Sequence, residues 1–291
     1  MTAQDDPLAS SGLVVVDKPE GITSHDVVGR LRRIMGTRKV GHAGTLDPMA
    51  TGVLLAGINR GTKFLAHLTA ATKAYEATIR LGERTSTDDA EGEVIATTAP
   101  LSDAELQAGI ARLTGDIMQV PSSVSAIKID GKRAYARVRA GEEVQLPARP
   151  VTVTAFDVLS RSGADVKVSV RCSAGTYIRA LARDLGGHLT ALRRTEAGPF
   201  GLDEATPLDE LTKSPRLSLS LDEAMARCYP PISVTEPEYH ALSQGKRLPV
   251  DAARAFAGVR AAMGPDGRVV ALVEVNGRAL KTVFVARPAT L

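Results

Sequence analysis

The stretch "GHAGTLDPMATGVLLAG", Gly41–Gly57, combines the residue types of a ligand-binding loop with an apolar run. Its lone carboxylate, Asp47, is followed at once by Pro48. An Asp before Pro is a good helix N-cap with proline at the first helical position, and "MATGVLLAG" would then be a buried helix. The glycines on either side of His42 would equally let the backbone fold tightly against a ligand. The residues alone favour a helix cap for Asp47 and leave an active-site role open.

Composition bounds the class of protein. The chain has 291 residues, of which 44% are hydrophobic, so it can bury a sizeable core and is longer than one average domain. Its formal net charge of +3 permits a nucleic-acid partner without requiring one, so such a role depends on local basic clusters. Cys172 and Cys228 have neither the number nor the spacing of a disulfide framework or a zinc site, which favours a reducing compartment.

Signals for a cofactor or a membrane are weak. The five histidines are scattered without metal-ligand spacing, and no phosphate-binding loop or dinucleotide-binding glycine pattern precedes a suitable helix. The N-terminus "MTAQDDPLASSG" is acidic and polar where a signal peptide needs positive charge, and no apolar run reaches membrane-spanning length. We therefore expect a cytoplasmic protein with no cofactor and no membrane association.

The periodic segments predict an α+β chain with many strands. "LVVVDKPEGITSHDVVGRLRRIMG" predicts a strand, a proline turn and a helix whose capping box begins at Thr23. "KAYEATIRLG" alternates between apolar and polar residues, which is typical of a half-buried strand. "TYIRALARDLGGHL" predicts a helix capped by Thr176.

Two changes of composition suggest further divisions. The segment 121–150 is bounded by prolines and rich in basic residues, which predicts a mobile basic flap. Clustered prolines and a return to short strand-like runs suggest a domain boundary near Tyr229. Roughly 60 residues then suffice for a small β-rich module. We divide the chain into residues 1–229 and 230–291.

Arg179 is a candidate whose position calls for a partner. It lies in the first turn of the helix that begins near Thr176, where a cation opposes the helix dipole. A carboxylate such as Asp47 would compensate it, and the pairing would hold that carboxylate ionised at neutral pH. A surface arginine reaching into solvent is the alternative, and the residues do not decide between the two.

The other chemical candidates also have ordinary structural interpretations. Tyr75 and Tyr177 are core tyrosines by default. His42 is a loop histidine by default, and no Ser or Cys stands at a recognisable elbow to complete a triad, so its ring could instead stack or wedge against a ligand. No second acid stands close to Asp47 in the sequence, which suits nucleophilic or electrostatic work better than paired-acid hydrolysis.

Five segments of the chain resemble, in the family's order, the motifs of the bacterial tRNA pseudouridine synthases of the TruB type. They are "VVVDKPEGITSHDVV", "GHAGTLDPMATGVLLAG", "KAYEATIRLG", "SAGTYIRALARDLG" and "HLTALRRTEAGPF". The resemblance implies an α+β pseudouridine synthase core, with a mixed and mainly antiparallel sheet flanked by helices. It also implies a small β-rich PUA-like domain at the C-terminus, and an enzyme that acts on the T-loop uridine at position 55 of tRNA.

The same resemblance implies roles for individual residues. Asp47 falls on the catalytic aspartate, Tyr75 on the tyrosine that packs on the target base, and Arg179 on the arginine paired with the aspartate. His42 falls on the histidine that takes up space near the flipped-out bases. The substrate-binding set is completed by residues that support the catalytic loop, line the uracil pocket or belong to the basic flap: Lys18, Pro19, Tyr177, Leu192, Lys128, Lys132 and Arg133.

The implied reaction makes sense of these residue types. Isomerising uridine breaks the N1 glycosidic bond, rotates the uracil and rejoins it through C5, so no metal or redox cofactor is needed. The expected partner is the T stem-loop of tRNA, with no obligatory protein partner and a monomeric enzyme. Two alternatives stay open: a guide-RNA-dependent pseudouridine synthase, and a non-catalytic RNA-binding or tRNA-folding factor.

Overall fold

The computed structural model describes residues 6–69, 71–122, 146–250 and 255–290, together with the backbone of residues 128–129 and 132–133. Its α-helices are α1 Ser24–Ile34, α2 Gly61–Phe64, α3 Asp103–Arg112, α4 Ile178–Asp184, α5 Leu208–Lys213, α6 Leu221–Cys228 and α7 Glu236–Ser243. Among the helices so described, none is both long enough and apolar enough to cross a membrane.

The strands are β1 Gly12–Lys18, β2 Val40–Ala43, β3 Thr51–Ile58, β4 Lys73–Leu81, β5 Glu83–Thr85, β6 Val94–Thr97, β7 Gly115–Gln119, β8 Lys128–Ile129, β9 Lys132–Arg133, β10 Arg149–Ser162, β11 Asp165–Cys172, β12 Gly187–Ala197, β13 Phe200–Gly201, β14 Thr206–Pro207, β15 Leu219–Ser220, β16 Pro231–Ser233, β17 Leu248–Pro249, β18 Val259–Met263, β19 Val269–Asn276 and β20 Ala279–Val285. Short 3-10 turns lie at Leu65–His67 and Leu202–Glu204.

Within the described residues, eleven strands form one large sheet. Its main path runs β14-β1-β3-β12-β4-β11-β10-β7, and off this path β2 pairs with β3, β13 with β12 and β15 with β1. The β1–β14 and β3–β12 pairings are parallel and the remaining pairings of this sheet are antiparallel. The prediction of a mixed, mainly antiparallel sheet is therefore confirmed.

Local sequence patterns account for the elements that carry the site. Strand β4 buries Tyr75, Ala77, Ile79 and Leu81 while the residues between them stay partly exposed, as its alternation predicts. Helix α1 begins with the expected capping box, in which the Thr23 hydroxyl accepts a hydrogen bond from the Asp26 backbone N–H and the Asp26 carboxylate accepts one from Thr23.

The prediction of a helix after Asp47 is wrong. Residues Thr51–Ile58 form strand β3, and Asp47 to Ala50 is a turn in which the Ala50 N–H donates to the Asp47 carbonyl at 3.1 Å. Strand β3 is central and buried on both faces, because alternate residues enter two different hydrophobic clusters. A strand of this kind has no polar face, so its apolar run has the same appearance as a buried helix.

A five-stranded C-terminal sheet, ordered β16-β18-β19-β20-β17, packs against the large sheet. Leu13 and Val15 of β1 share one apolar cluster with Leu272 of β19. The rings of Phe64 and Phe284 lie 6.1 Å apart between centroids, and Arg60 Nε donates to the Ala286 carbonyl at 3.0 Å. The expected β-rich C-terminal unit is present and shares a hydrophobic core with the rest of the chain.

The predicted basic flap, residues 121–150, is described only in part. Residues 123–127, 130–131 and 134–145 lie outside the described residues, and for Lys128, Lys132 and Arg133 only the backbone is described. That backbone pairs β8 with β9 in antiparallel register.

Candidate active site

A cavity of about 300 Å³ opens where the Asp47 turn, strands β4 and β12 and the start of helix α4 meet. It brings together five of the predicted site residues, which come from four separate segments of the chain: Asp47, Tyr75, Tyr177, Arg179 and Leu192. The other predicted residues lie around this cavity and are described below.

The turn that carries Asp47 is anchored on both sides. The Leu46 N–H donates to Ser24 Oγ at 2.9 Å, and Ser24 Oγ donates to the Leu46 carbonyl at 3.1 Å, so the first turn of α1 holds the residue before Asp47. Pro48 occupies the second position of the turn, where its fixed φ is favourable. The Gly21 N–H donates to the Pro48 carbonyl at 2.9 Å.

Lys18 lies beneath this turn and is fully buried. Its Nζ donates to three backbone carbonyls, those of Pro19 at 2.9 Å, Pro48 at 3.2 Å and Ala50 at 2.6 Å. Burial lowers the pKa of Lys18 to about 8, against the opposing attraction of Asp47 and Glu20. The Lys18 side chain thus ties β1 to Pro48 and Ala50 of the turn that follows Asp47, while the neighbouring Pro19 is exposed.

Arg179 joins two carboxylates, one at the cavity and one in the interior. Its Nε lies 3.0 Å from Asp47 Oδ2 and its Nη1 lies 3.5 Å from Asp89 Oδ2. Only 4% of the Arg179 side chain is exposed, compared with 36% for Asp47 and 3% for Asp89. The surface-arginine alternative is therefore wrong, and the pairing expected from the helix-dipole argument is present.

Asp89 is a site residue that sequence reasoning missed. Its Oδ1 accepts hydrogen bonds from Thr87 Oγ1 at 2.5 Å and from the Glu91 N–H at 3.1 Å. Nη1 of Arg179 also donates to the Thr87 carbonyl at 2.9 Å. A buried charge needs both an opposite charge and hydrogen bonds, and this short loop supplies them to Asp89 and Arg179 together.

A second buried arginine, Arg194, supports the floor of the cavity. It faces Tyr75 across the β12–β4 pairing, and it donates to the Val53 carbonyl at 2.7 Å and the Gly44 carbonyl at 2.8 Å. Gly52 has φ +97°, and a Cβ there would lie 2.2 Å from the Arg194 carbonyl oxygen, so only glycine lets β3 approach β12 this closely. Burial raises the pKa of Tyr75, and its phenol therefore stays protonated at neutral pH.

Tyr177 forms part of the cavity rim and is the N-cap residue of α4. The buried Gln119 side chain holds it on both sides: Gln119 Oε1 accepts from the Tyr177 N–H at 2.8 Å, and Gln119 Nε2 donates to the Tyr177 carbonyl at 3.1 Å. The prediction of Thr176 as the cap is wrong, because its hydroxyl instead donates to the Ser173 carbonyl at 2.9 Å in the preceding turn.

His42 lies outside the Asp47 cavity. It lines an adjoining cavity of about 500 Å³, which shares Gly44 and Thr69 with the first. Its Nδ1 is buried and has no hydrogen-bond partner within the described residues. Burial lowers the pKa of His42, and the positive charge of Arg194 adds to that effect. A neutral imidazole is therefore placed beside the cavity that holds Asp47.

Metal binding has no obvious place in this arrangement. In the described parts of the chain, no three His, Cys, Asp or Glu side chains are grouped so that they could hold a metal ion. The cavity is lined by one carboxylate paired with an arginine, by a protonated phenol, by apolar surface such as that of Leu192, and by three further cations, Lys73, Arg149 and Arg194. A single carboxylate held by an arginine suits nucleophilic or electrostatic action.

The fold has close counterparts among solved structures. A chain from a Cbf5-Nop10-Gar1 complex superposes with a TM-score of 0.73 at 24% identity, covering 99% of this chain and 89% of that one. A chain from an H/ACA RNP bound to a substrate RNA containing 2′-deoxyuridine gives a TM-score of 0.71 at 23% identity, covering 96% and 86%. At these identities the likeness shows a shared fold.

Sequence comparison is more specific. The tRNA pseudouridine synthase B of Corynebacterium aurimucosum is 64% identical, covering 98% of this chain and 99% of its own length. That of Nocardia farcinica is 58% identical, covering 99% and 96%. The family model described as TruB family pseudouridylate synthase (N terminal domain) matches residues 32–178, and that described as tRNA Pseudouridine synthase II, C terminal, matches residues 229–287. The chain therefore belongs to the TruB family of tRNA pseudouridine synthases.

Proposed function

We propose that this chain converts the uridine at position 55 in the T loop of tRNA to pseudouridine, with Asp47 as the catalytic carboxylate. The observation that carries the proposal is the 3.0 Å contact between Asp47 and Arg179 at the wall of a cavity the size of a base. The relatives named tRNA pseudouridine synthase B support tRNA as the substrate class.

The reaction exchanges one bond to the sugar for another. The N1–C1′ bond breaks, the uracil rotates, a C5–C1′ bond forms, and the proton on C5 leaves while N1 gains one. Asp47 acts by attack on the sugar, by attack on C6 or by promoting a glycal route. Each of these needs an ionised carboxylate held beside the nucleoside, and the guanidinium of Arg179 holds it there.

Tyr75 packs on the uracil and takes part in removing the C5 proton. Because burial raises the pKa of its phenol, Tyr75 does not act as a free phenolate at neutral pH. A proton from C5 therefore passes through its hydroxyl only if another base receives the phenolic proton in return. Tyr177 and Leu192 complete the uracil pocket.

The target base reaches this cavity by extrusion from the folded T loop. Extrusion costs a few kcal/mol, which stacking and backbone contacts offset. We assign the stacking to His42 and the backbone contacts to the basic flap with Lys128, Lys132 and Arg133, while Lys18 and Pro19 support the catalytic turn. Residues 1–229 form the catalytic domain and 230–291 a PUA-like RNA-binding domain, in a monomer that acts in the cytoplasm.

Release of tritium from C5-labelled uridine in an unmodified T-loop transcript tests the proposal. We expect release by the purified chain alone and none by Asp47→Asn, which keeps the shape of the side chain but not its charge. Tight RNA binding without release by the parent protein would contradict the enzyme and favour a tRNA-folding factor. A requirement for an added guide RNA would favour the guide-dependent alternative.

A further inference from the structure

Arg149, the first residue of β10, lies at the rim of the active-site cavity. Its guanidinium carbon stands 4.9 Å from the centre of the Tyr177 ring, and its Nη2 donates to the Gly175 carbonyl. Arg149 also pairs in register with Gln119 of β7, whose side chain holds the Tyr177 backbone. The guanidinium is thus held against the rim by a stacked ring and a backbone oxygen.

The hydrogen bonding of Arg149 is incomplete. Four cations line the cavity: Lys73, Arg149, Arg179 and Arg194. Of these, Arg149 alone has a buried nitrogen, Nε, without a hydrogen-bond partner in the described part of the chain. The bond to Gly175 is the only one its guanidinium makes there, and no carboxylate of that part pairs with it. Most N–H groups of the Arg149 guanidinium therefore have no acceptor among the described residues.

The position of Arg149 indicates what the acceptor is. Tyr75 and Arg179 are buried and form the depth of the cavity, whereas Gly175 is exposed and Arg149 is half-buried. An extruded nucleotide puts its uncharged base into the depth and leaves its charged phosphates at the rim, where water remains. A guanidinium fork with free N–H groups matches two oxygens of a phosphodiester.

We propose that Arg149 binds a phosphodiester that flanks the target uridine and so fixes the depth at which the base enters. This proposal rests on the proposed function, since it assumes an extruded uridine in the Asp47 cavity. Little ordering is needed on binding, because Tyr177 and Gly175 already hold the guanidinium.

The test combines an enzyme variant with an altered RNA. T stem-loop RNAs carry an uncharged methylphosphonate at the phosphodiester on the 5′ or the 3′ side of the target uridine, one at a time. Kd and single-turnover pseudouridine formation are measured for wild type, Arg149→Gln, Arg149→Lys and the control Arg171→Gln. Arg171 forms an exposed ion pair with Glu196 and does not line the cavity, so its loss removes one positive charge elsewhere.

For one of the two positions we expect the methylphosphonate to raise the wild-type Kd about tenfold, the usual effect of losing a charge-assisted hydrogen bond. Arg149→Gln raises Kd for the unmodified RNA about as much, and the methylphosphonate adds nothing further to it. Arg149→Lys keeps the charge, so it raises Kd less, and at the same position the methylphosphonate again adds less than it does in wild type. Arg171→Gln responds to the methylphosphonate as wild type does.

The proposal would be overturned if, at both positions, the increases in Kd caused by the methylphosphonate and by Arg149→Gln multiplied. It would also be overturned if Arg149→Gln left Kd unchanged and slowed turnover, because the side chain would then only hold Tyr177. The comparison of Kd values across protein variants and altered RNAs does not depend on turnover. Coupling in Kd without pseudouridine formation by wild type would therefore refute the proposed function alone, and turnover without coupling would refute the role of Arg149 alone.

Discussion

The Nε atom of Arg179 lies 3.0 Å from Asp47 Oδ2 at the cavity, while Nη1 of the same guanidinium lies 3.5 Å from the buried Asp89. One arginine thus links a carboxylate at the cavity to a carboxylate in the protein interior. The position of Asp47 is set by a cation that is itself anchored in the protein interior, and the anchor can be altered without touching the cavity wall.

Replacing Arg179 with alanine should lower turnover far more than RNA binding. Asp47 loses the cation that orients it, whereas most of the RNA affinity comes from contacts elsewhere. We expect kcat to fall about a hundredfold, which corresponds to about 2.7 kcal/mol of transition-state stabilisation, with Kd within about threefold of wild type. Single-turnover tritium release and equilibrium binding measure the two effects. Equal losses in both would mean that Arg179 serves mainly as an RNA contact.

Replacing Asp89 with asparagine should slow catalysis although Asp89 does not line the cavity. The change keeps the acceptor for Thr87 and Glu91 but removes the charge that faces Arg179, which then shifts toward Asp47 or out of position. Losing one partner of a buried ion pair costs about 3–5 kcal/mol of stability. We expect a lower Tm and a lower kcat with unchanged Kd.

Asp88→Asn is the matched control for this change. Asp88 is also buried and lies 3.4 Å from Arg183, but it does not contact Arg179. It should lower Tm and leave kcat close to that of wild type. If both variants slowed turnover alike, a general loosening of this loop would explain the result better than the link through Arg179.

Much of this arrangement was predictable from local sequence patterns. The alternation of β4 and the capping box of α1 are determined by residues within a few positions of each other. The partner of Arg179 was also predictable in kind, because a cation in the first turn of a helix calls for a carboxylate. Its identity as Asp47 needed either the family resemblance or the folded chain.

The elements that were missed depend on distant parts of the chain. Strand β3 is apolar on both faces because it lies between two cores, a fact no window of its own sequence contains. Asp89 lies in a polar segment that is typical of an exposed loop, and it is buried because it bridges to Leu189 of β12. Arg194 shares a strand face with the buried Leu192, but an arginine on an apolar face has no local signal for the backbone carbonyls of Val53 and Gly44 that satisfy it.

Replacing His42 should separate ring packing from proton transfer. Since burial lowers its pKa, His42 is neutral at pH 7, and we expect His42→Phe to keep turnover within about threefold of wild type. His42→Ala removes the ring to which we assign the stacking, and on that assignment it should raise Kd about tenfold. Both variants are assayed for binding and single-turnover tritium release between pH 6.5 and 8. A large kcat loss in His42→Phe would indicate a proton-transfer role instead.

Lys18 should give the protein a distinctive pH dependence of stability. Burial lowers its pKa from 10.5 to about 8, so between these values the unfolded chain holds a proton that the folded chain has released. Unfolding then takes up a proton, and the free energy of unfolding rises with pH by up to about 3 kcal/mol relative to Lys18→Met. Urea denaturation of both proteins from pH 7 to 10.5 measures this difference. The exposed Lys167, paired with Glu76, supplies the control Lys167→Met, which should follow the wild-type curve. If the Lys18→Met curve also ran parallel to wild type, the pKa of Lys18 would be ordinary in the folded protein. The three carbonyl partners would then keep its ammonium group charged.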